Sequence, residues 1–266
     1  MIIALYLKMW RDHWRSLLSW AGVAVLMVSI QMSVYPSIAK SGKGFETFLE
    51  NYPDAIKKIF RMQDYTTGPG FLSTELYSMM IPLILIAIGA TWGASATAEE
   101  EEKGTADLLF AFPISRVRIV VTKMAATVTV IAAVGILAAL NILILKNHVH
   151  LEVDGSHLFA ATASCIATGL FFSSLSFLAG SLTGHKGASL GIATGLALIL
   201  FLIYSLEALV DTFDGIAPYN PFNWALAGNP LFDGLDSAGL LKLVGSSIVI
   251  GALAVGYFNK KDISVQ

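Results

Sequence analysis

Catalysis and metal binding need groups that titrate, coordinate or attack, and this sequence gathers such groups in only a few places. The run HVHLEVDGSH sets His148, His150, Glu152, Asp154 and His157 within ten residues. These are zinc-ligand types, but no tetrahedral set is fixed on rigid elements, so the run reads as a polar turn. Ser41 to Gly44, SGKG, has a lysine between glycines, yet Ser37 stands where a phosphate-binding loop needs its first glycine and Gly44 where it needs Ser or Thr. Metalloprotease HExxH and serine-hydrolase GxSxG patterns are both missing. Glu207 lies inside an apolar run, where acids are often functional, but it is about one turn from the end and can snorkel outward. The most unusual stretch is AEEEEKGTADLLFAFPISR, Ala98 to Arg116: four glutamates, then a short apolar segment closed by a proline.

Composition dictates the elements that hold these groups. The 266 residues are 55% hydrophobic and 14% charged, with a mean hydropathy of +0.69, which excludes an ordinary water-soluble domain. A hydrocarbon layer of ~30 Å takes ~20 helical residues to cross. Six runs reach that length, near residues 17–34, 72–98, 119–145, 158–182, 188–210 and 240–258, and none alternates as a barrel strand would. The fold expected is an all-α polytopic membrane protein with six transmembrane helices in a single domain, 1–266. KMWRDHWR before the first run, with no small-residue cleavage site after it, reads as the approach to a retained span and not as a signal peptide. Cys165 falls inside the fourth span and packs as a small apolar residue.

Lysine and arginine counts orient the bundle. With both termini inside, the cytoplasmic segments hold Lys8, Arg11, Arg15, Lys103, Arg116, Arg118, Lys123, Lys186, Lys260 and Lys261, ten against the seven at Lys40, Lys43, Lys57, Lys58, Arg61, Lys146 and Lys242. The glutamates then face the cytosol. In the long outer segment after the first span, Phe45, Phe48, Leu49, Tyr52, Ile56, Ile59 and Phe60 recur at helical spacing between charges. They predict an amphipathic helix at the membrane surface, bent or restarted at Pro53, or else a cap packed on the bundle. The segment DTFDGIAPYNPFNWALAGNPLFDGLD before the last span is broken by Pro218, Pro221 and Pro230. Its composition predicts short re-entrant or interfacial helices, with Tyr219, Phe222 and Trp224 as aromatic anchors. Gly187, Gly191 and Gly195, like Gly180 and Gly184, repeat at four-residue spacing, which serves either tight packing within the bundle or a subunit interface.

After Ala98, Glu99 to Glu102 cannot remain in hydrocarbon, so they mark where the second span emerges. Gly104 breaks the helix, Thr105 is a good N-cap, Asp107 suits a first turn and Pro113 prevents any continuation. A helix of about two turns, Ala106 to Phe112, is predicted; alone in water it would not be stable. Leu108, Leu109, Phe110 and Phe112 make it too apolar for a free loop. Two physical solutions exist: it docks in a groove of another protein, with the charged collar fixing orientation, or it folds back into the lipid interface.

EEEKGTADLLFAFPISR resembles the cytoplasmic loop of ATP-binding cassette (ABC) transporter permeases of the type-two, exporter class. Glu100, Glu102, Gly104, Thr105, Leu109, Pro113, Ile114, Ser115 and Arg116 stand at that family's matching positions, with Leu108, Phe110 and Phe112 between them. The C-terminal YFNKKDI is similar to the family's ending at Phe258, Lys260, Lys261, Asp262 and Ile263, and NYPDAIKKIF to a segment of one subgroup. Relatives more often carry arginine between the acids; the uninterrupted glutamates suggest a partner with an unusually basic groove.

The resemblance implies a six-span permease half in the cell membrane that pairs with a second copy or a paralogue. Its coupling helix, between spans 2 and 3, would dock a separate ATP-binding subunit. ATP and Mg would belong to that subunit and no cofactor, metal or nucleic acid to this chain, which would not itself be an enzyme. Alternating access would move substrate outward as rigid bodies close and open. Spans rich in Ala, Gly, Ser, Thr and Phe suit an amphipathic or apolar cargo. Two readings from other classes compete: an intramembrane enzyme using Glu207, His185 or the His148 cluster, and an ATP-independent carrier or channel, which usually places charges or broken helices at mid-membrane.

Overall fold

The computed structural model describes residues 2–50, 64–104, 114–207 and 209–261, and the regular elements among them are all helical. Helix α1 is Ile2–Asp12 and α2 Trp14–Glu50; α3 is Gly68–Leu72, followed by a π-helical turn at Ser73–Tyr77 and by α4, Met80–Glu102. Then come α5, Arg116–Leu145, α6, Gly155–Thr183, and α7, Lys186–Leu206. Two 3-10 turns, Asp211–Phe213 and Ala217–Tyr219, and the short helices α8, Pro221–Leu226, and α9, Pro230–Asp233, lead to α10, Ser237–Lys260. Six segments, Trp14–Ser41, Gly68–Glu102, α5, α6, α7 and α10, are long and apolar enough to cross a membrane.

The bundle is built around α6, the most deeply buried span, which lies against α4 and α10. Glycine sets the α4–α6 distance: a Cβ on Gly89 would stand 2.7 Å from the Gly169 carbonyl oxygen, and one on Gly93 would stand 2.9 Å from that of Ser173. Four-residue spacing puts both on one face of α4, so the two backbones meet. Hydroxyls then bond across the seam. Ser176 donates to the Ala90 carbonyl at 2.7 Å, and Ser189 at the start of α7 donates to the Ser176 carbonyl at 2.6 Å. By contrast, a Cβ on Gly187, Gly191 or Gly195 would meet nothing within 4 Å, so this stripe of α7 faces away from the described part of the chain.

Two spans depart from the continuous rods that hydropathy predicts. The first does not end near Val34: α2 runs for 37 residues through Pro36, with Ala24, Val28, Met32 and Tyr35 buried along one face. One missing N–H inside a long helix is tolerated when the turns on either side are secure. Residues 45–50 therefore continue α2, while Tyr52, Pro53, Ile56, Ile59 and Phe60 lie outside the described residues. The second span is interrupted. Thr67 caps α3 by accepting from the Gly70 N–H at 3.2 Å, the ladder widens to a π turn with Ser78 N–H on the Ser73 carbonyl, and Met79 leaves helical geometry at φ −138°, ψ −56°. Pro82 explains the break. Its ring excludes a carbonyl four residues back, so the helix restarts two residues before it, where a proline costs nothing.

The segment between α7 and α10 forms the expected short helices, and they fold back onto protein. Asn220 caps α8, accepting from Phe222 N–H at 3.0 Å, and its amide donates to the Leu200 carbonyl at 2.9 Å. Phe222 is fully buried, 5.6 Å from Phe172, 5.4 Å from Phe201 and 6.0 Å from Tyr204 between ring centres. It anchors the loop to α6 and α7, not to lipid. Tyr219, 77% exposed, is available for an interfacial role.

Candidate functional site

The Lys/Arg-rich end of the bundle is organised by the last turn of α4. Each of the first three glutamates takes a basic side chain from a different element. Glu99 accepts from His13 Nε2 at 3.2 Å, in the joint between α1 and α2, and from Lys103 at 2.5 Å. Glu100 pairs with Lys123 of α5 at 2.5 Å, and the same ammonium donates to the Ala96 carbonyl at 3.0 Å. Glu101 accepts from Lys261, just past α10, at 2.7 Å. Glu102 is exposed. The run is therefore a hub that fastens α1, α5 and the end of α10 to one helix terminus.

Local structure explains why these partners meet. Lys261 is held twice, since Arg116 at the start of α5 donates through Nη1 to its carbonyl at 2.7 Å. The Glu101–Lys261 pair lies over Gly184, the left-handed C-cap of α6 at φ 69°; a Cβ there would stand 2.2 Å from Glu101 Oε2 and 2.6 Å from Lys261 Nζ. Only glycine offers both that conformation and that clearance. On the opposite flank Trp92, wholly buried in α4, seats the α1–α2 joint, with His13 5.2 Å and Trp10 6.4 Å from its ring. A cavity of about 150 Å³ opens between α1, α4 and α5, lined among others by Lys8, Asp12, His13, Lys103 and Glu99. Both acidic and basic side chains line it, and Glu99 holds the Lys103 ammonium above its ordinary pKa.

The residues predicted from sequence divide into three groups. Glu100, Arg116 and Lys261 are drawn into the hub, so the loop motif and the C-terminal motif, 145 residues apart, touch. Gly104 ends the α4 segment at φ 64°, as a helix-breaking glycine should. Ser115 caps α5, accepting from the Arg118 N–H at 3.4 Å, with Ile114 half-buried before it; Phe258 is buried and Lys260 exposed. Thr105, Leu108, Leu109, Phe110, Phe112 and Pro113, with the helix predicted over Ala106 to Phe112, lie outside the described residues, as do Asp262 and Ile263.

Three contributors to the hub are not legible as such in the sequence. His13 belongs there to the approach to the first span, and Lys123 counts only toward the cytoplasmic charge. Lys123 carries a signal all the same: it is a cation inside an apolar run and is 4% exposed, and such residues need a partner. Gly184, which four-residue spacing assigns to a packing ridge, is instead a helix stop.

Several of the groups that could have served an enzyme are engaged locally. His148 Nδ1 lies 3.2 Å from the Ile144 carbonyl oxygen, and His150 sits in the left-handed region at φ 54°. Asp154 caps α6, and two bonds from Ser156 hold its carboxyl below the ordinary carboxylate range. His185 Nδ1 is 2.7 Å from the Thr183 carbonyl oxygen, and Glu207 accepts from the Asn223 amide at 2.7 Å. Among the described residues no three His, Cys, Asp or Glu side chains are placed to hold a metal ion.

No curated protein matches the chain. Residues 3–263 match the family model described as ABC-2 family transporter protein.

Proposed function

The chain belongs to the ABC-2 family of transporter proteins, and from that premise we propose that it is the membrane-spanning permease subunit of an ATP-driven exporter. The protein is a multi-pass membrane protein with six spans, and its family works with a separate ATP-binding subunit. The proposed docking element is residues 105–113, with Leu108, Leu109, Phe110 and Phe112 as the apolar ridge that the ATP-binding subunit grips. Both termini are cytoplasmic in this reading, and the working unit contains two permease halves. ATP and Mg are held by the partner.

One observation supports this above the rest: the segment that would dock is rooted at both ends in the ion-pair hub. It leaves α4 directly after Glu99 to Glu101 and re-enters at Arg116, which is tied to Lys261. Force applied there would be shared by α4, α5, α10 and the α1–α2 joint, as a rigid-body transition requires. Pairing three glutamates within the chain also removes the reason to expect an unusually basic partner groove. Glu102 alone among the four is exposed and remains to meet a partner.

The test is co-purification of the chain with its ATP-binding subunit. Leu109→Asp or Phe110→Asp is expected to abolish the complex and ATP-dependent transport, while leaving the bundle's thermal unfolding in detergent unchanged, because truncating or charging a central apolar anchor costs about 2 kcal/mol or more of binding. A variant that still binds and still couples would remove residues 105–113 from the interface.

A further inference from the structure

The N-terminal helix carries a surface that the transport reading does not use. One face of α1 is internal: Leu5 and Met9 are buried, and the Tyr6 hydroxyl donates to Thr129 Oγ1 of α5 at 2.9 Å. The joint to α2 is nearly continuous, since His13 N–H reaches the Met9 carbonyl at 3.3 Å and Leu17 N–H reaches that of His13 at 3.0 Å. Helical phase therefore carries across it at about 100° per residue. Ile3, Leu7, Trp14 and Leu18, exposed by 74, 58, 51 and 59%, fall in one stripe. Leu26 and Ile30, 61 and 55% exposed, add apolar surface further along the first span.

Basic residues border the stripe on one side only. Arg11, Arg15 and Lys8 lie within roughly 80° of Leu18, before the helix turns inward at Leu5 and Met9. Lys8 is 3.8 Å from Asp12. Arg11 and Arg15 make no ion pair with a described residue, and Arg15 lies over the Trp14 ring at 5.6 Å. An apolar stripe with unpaired guanidinium groups along its rim and an indole between them matches a boundary where hydrocarbon gives way to negative charge.

We propose that the α1–α2 joint is an anionic-lipid binding surface, with Arg11 and Arg15 seated on lipid phosphate groups while Ile3, Leu7 and Trp14 lie among the acyl chains. Because the joint also delivers His13 to Glu99, lipid bound there steadies the hub from outside the protein. The inference does not depend on the transport reading.

The experiment is amide exchange across residues 3–14 of the full chain in nanodiscs of phosphatidylcholine alone and of phosphatidylcholine with phosphatidylglycerol. The anionic discs are expected to slow exchange about thirtyfold, with each arginine contributing about fivefold. The pair Arg11→Gln and Arg15→Gln, both exposed, should exchange alike in the two discs, and Lys at both positions should restore most of the difference. Equal protection of the unaltered protein in neutral and anionic discs would overturn the proposal, and so would an undiminished lipid response in the glutamine pair.

Discussion

Lys123 and Glu100 show what one buried ion pair asks of a residue. The lysine side chain is 5% exposed and the glutamate 21%, so each has lost most of its water and relies on the other. Removing one partner strands a charge, which costs about 3–5 kcal/mol, whereas replacing both with neutral groups of similar size is often close to neutral. Lys123→Met should therefore lower the unfolding temperature in detergent markedly, and Glu100→Gln added to it should recover most of the loss. If the single change were silent, the pair would not be holding α5 to α4. The sequence displays both residues but not the pairing, because 23 positions and a helix turn-around separate them. Lys261 and Glu101, 160 apart, are still less legible. Charge type can be read along a chain, whereas a partner is chosen in space.

Among the elements, apolar run length locates all six spans, since the hydrocarbon thickness dictates it. What it passes over are features set by backbone geometry. The break before α4 is signalled by Pro82 alone, and a hydropathy window averages a proline away. Helix α1 escapes such a window because its 11 residues are too few to span and its buried positions, Leu5 and Met9, only make sense once α5 is beside them. The glycines illustrate the difference best. Gly187, Gly191 and Gly195 are the visible ridge, yet Gly89 and Gly93, with the same four-residue spacing, are the pair that lets α4 meet α6. Gly93→Leu should cost more than about 3 kcal/mol of stability or abolish folding, because backbone on the facing helix cannot yield. Gly191→Ala, with open space around it, should leave the unfolding temperature unchanged or slightly raised. Differential scanning fluorimetry in one detergent compares the two directly.

For the molecule as a whole, the family assignment fits a bundle whose ion pairs among the described residues gather at one end and whose flanks are apolar. The ten-to-seven distribution of Lys and Arg predicts that this clustered end is cytoplasmic. Cysteines placed at Ile2 and Ser264 in a Cys165→Ala background should be labelled by a membrane-impermeant maleimide only after the cells are opened, and Ser237→Cys should be labelled without opening them. The reverse pattern would invert the protein. Residues 105–113, on which the proposed docking rests, can be recognised from sequence as an apolar stub, and the hub that roots them cannot.

The Glu101–Lys261 contact also fixes an order of events during synthesis. A ribosome adding roughly 5–20 residues per second reaches the lysine about 8–32 s after the glutamate, because 160 residues intervene. For that interval the acid waits in water beside an unfinished bundle, and the bolt closes only when the final helix arrives. A nascent chain that stalls before then presents Glu101 without its lysine.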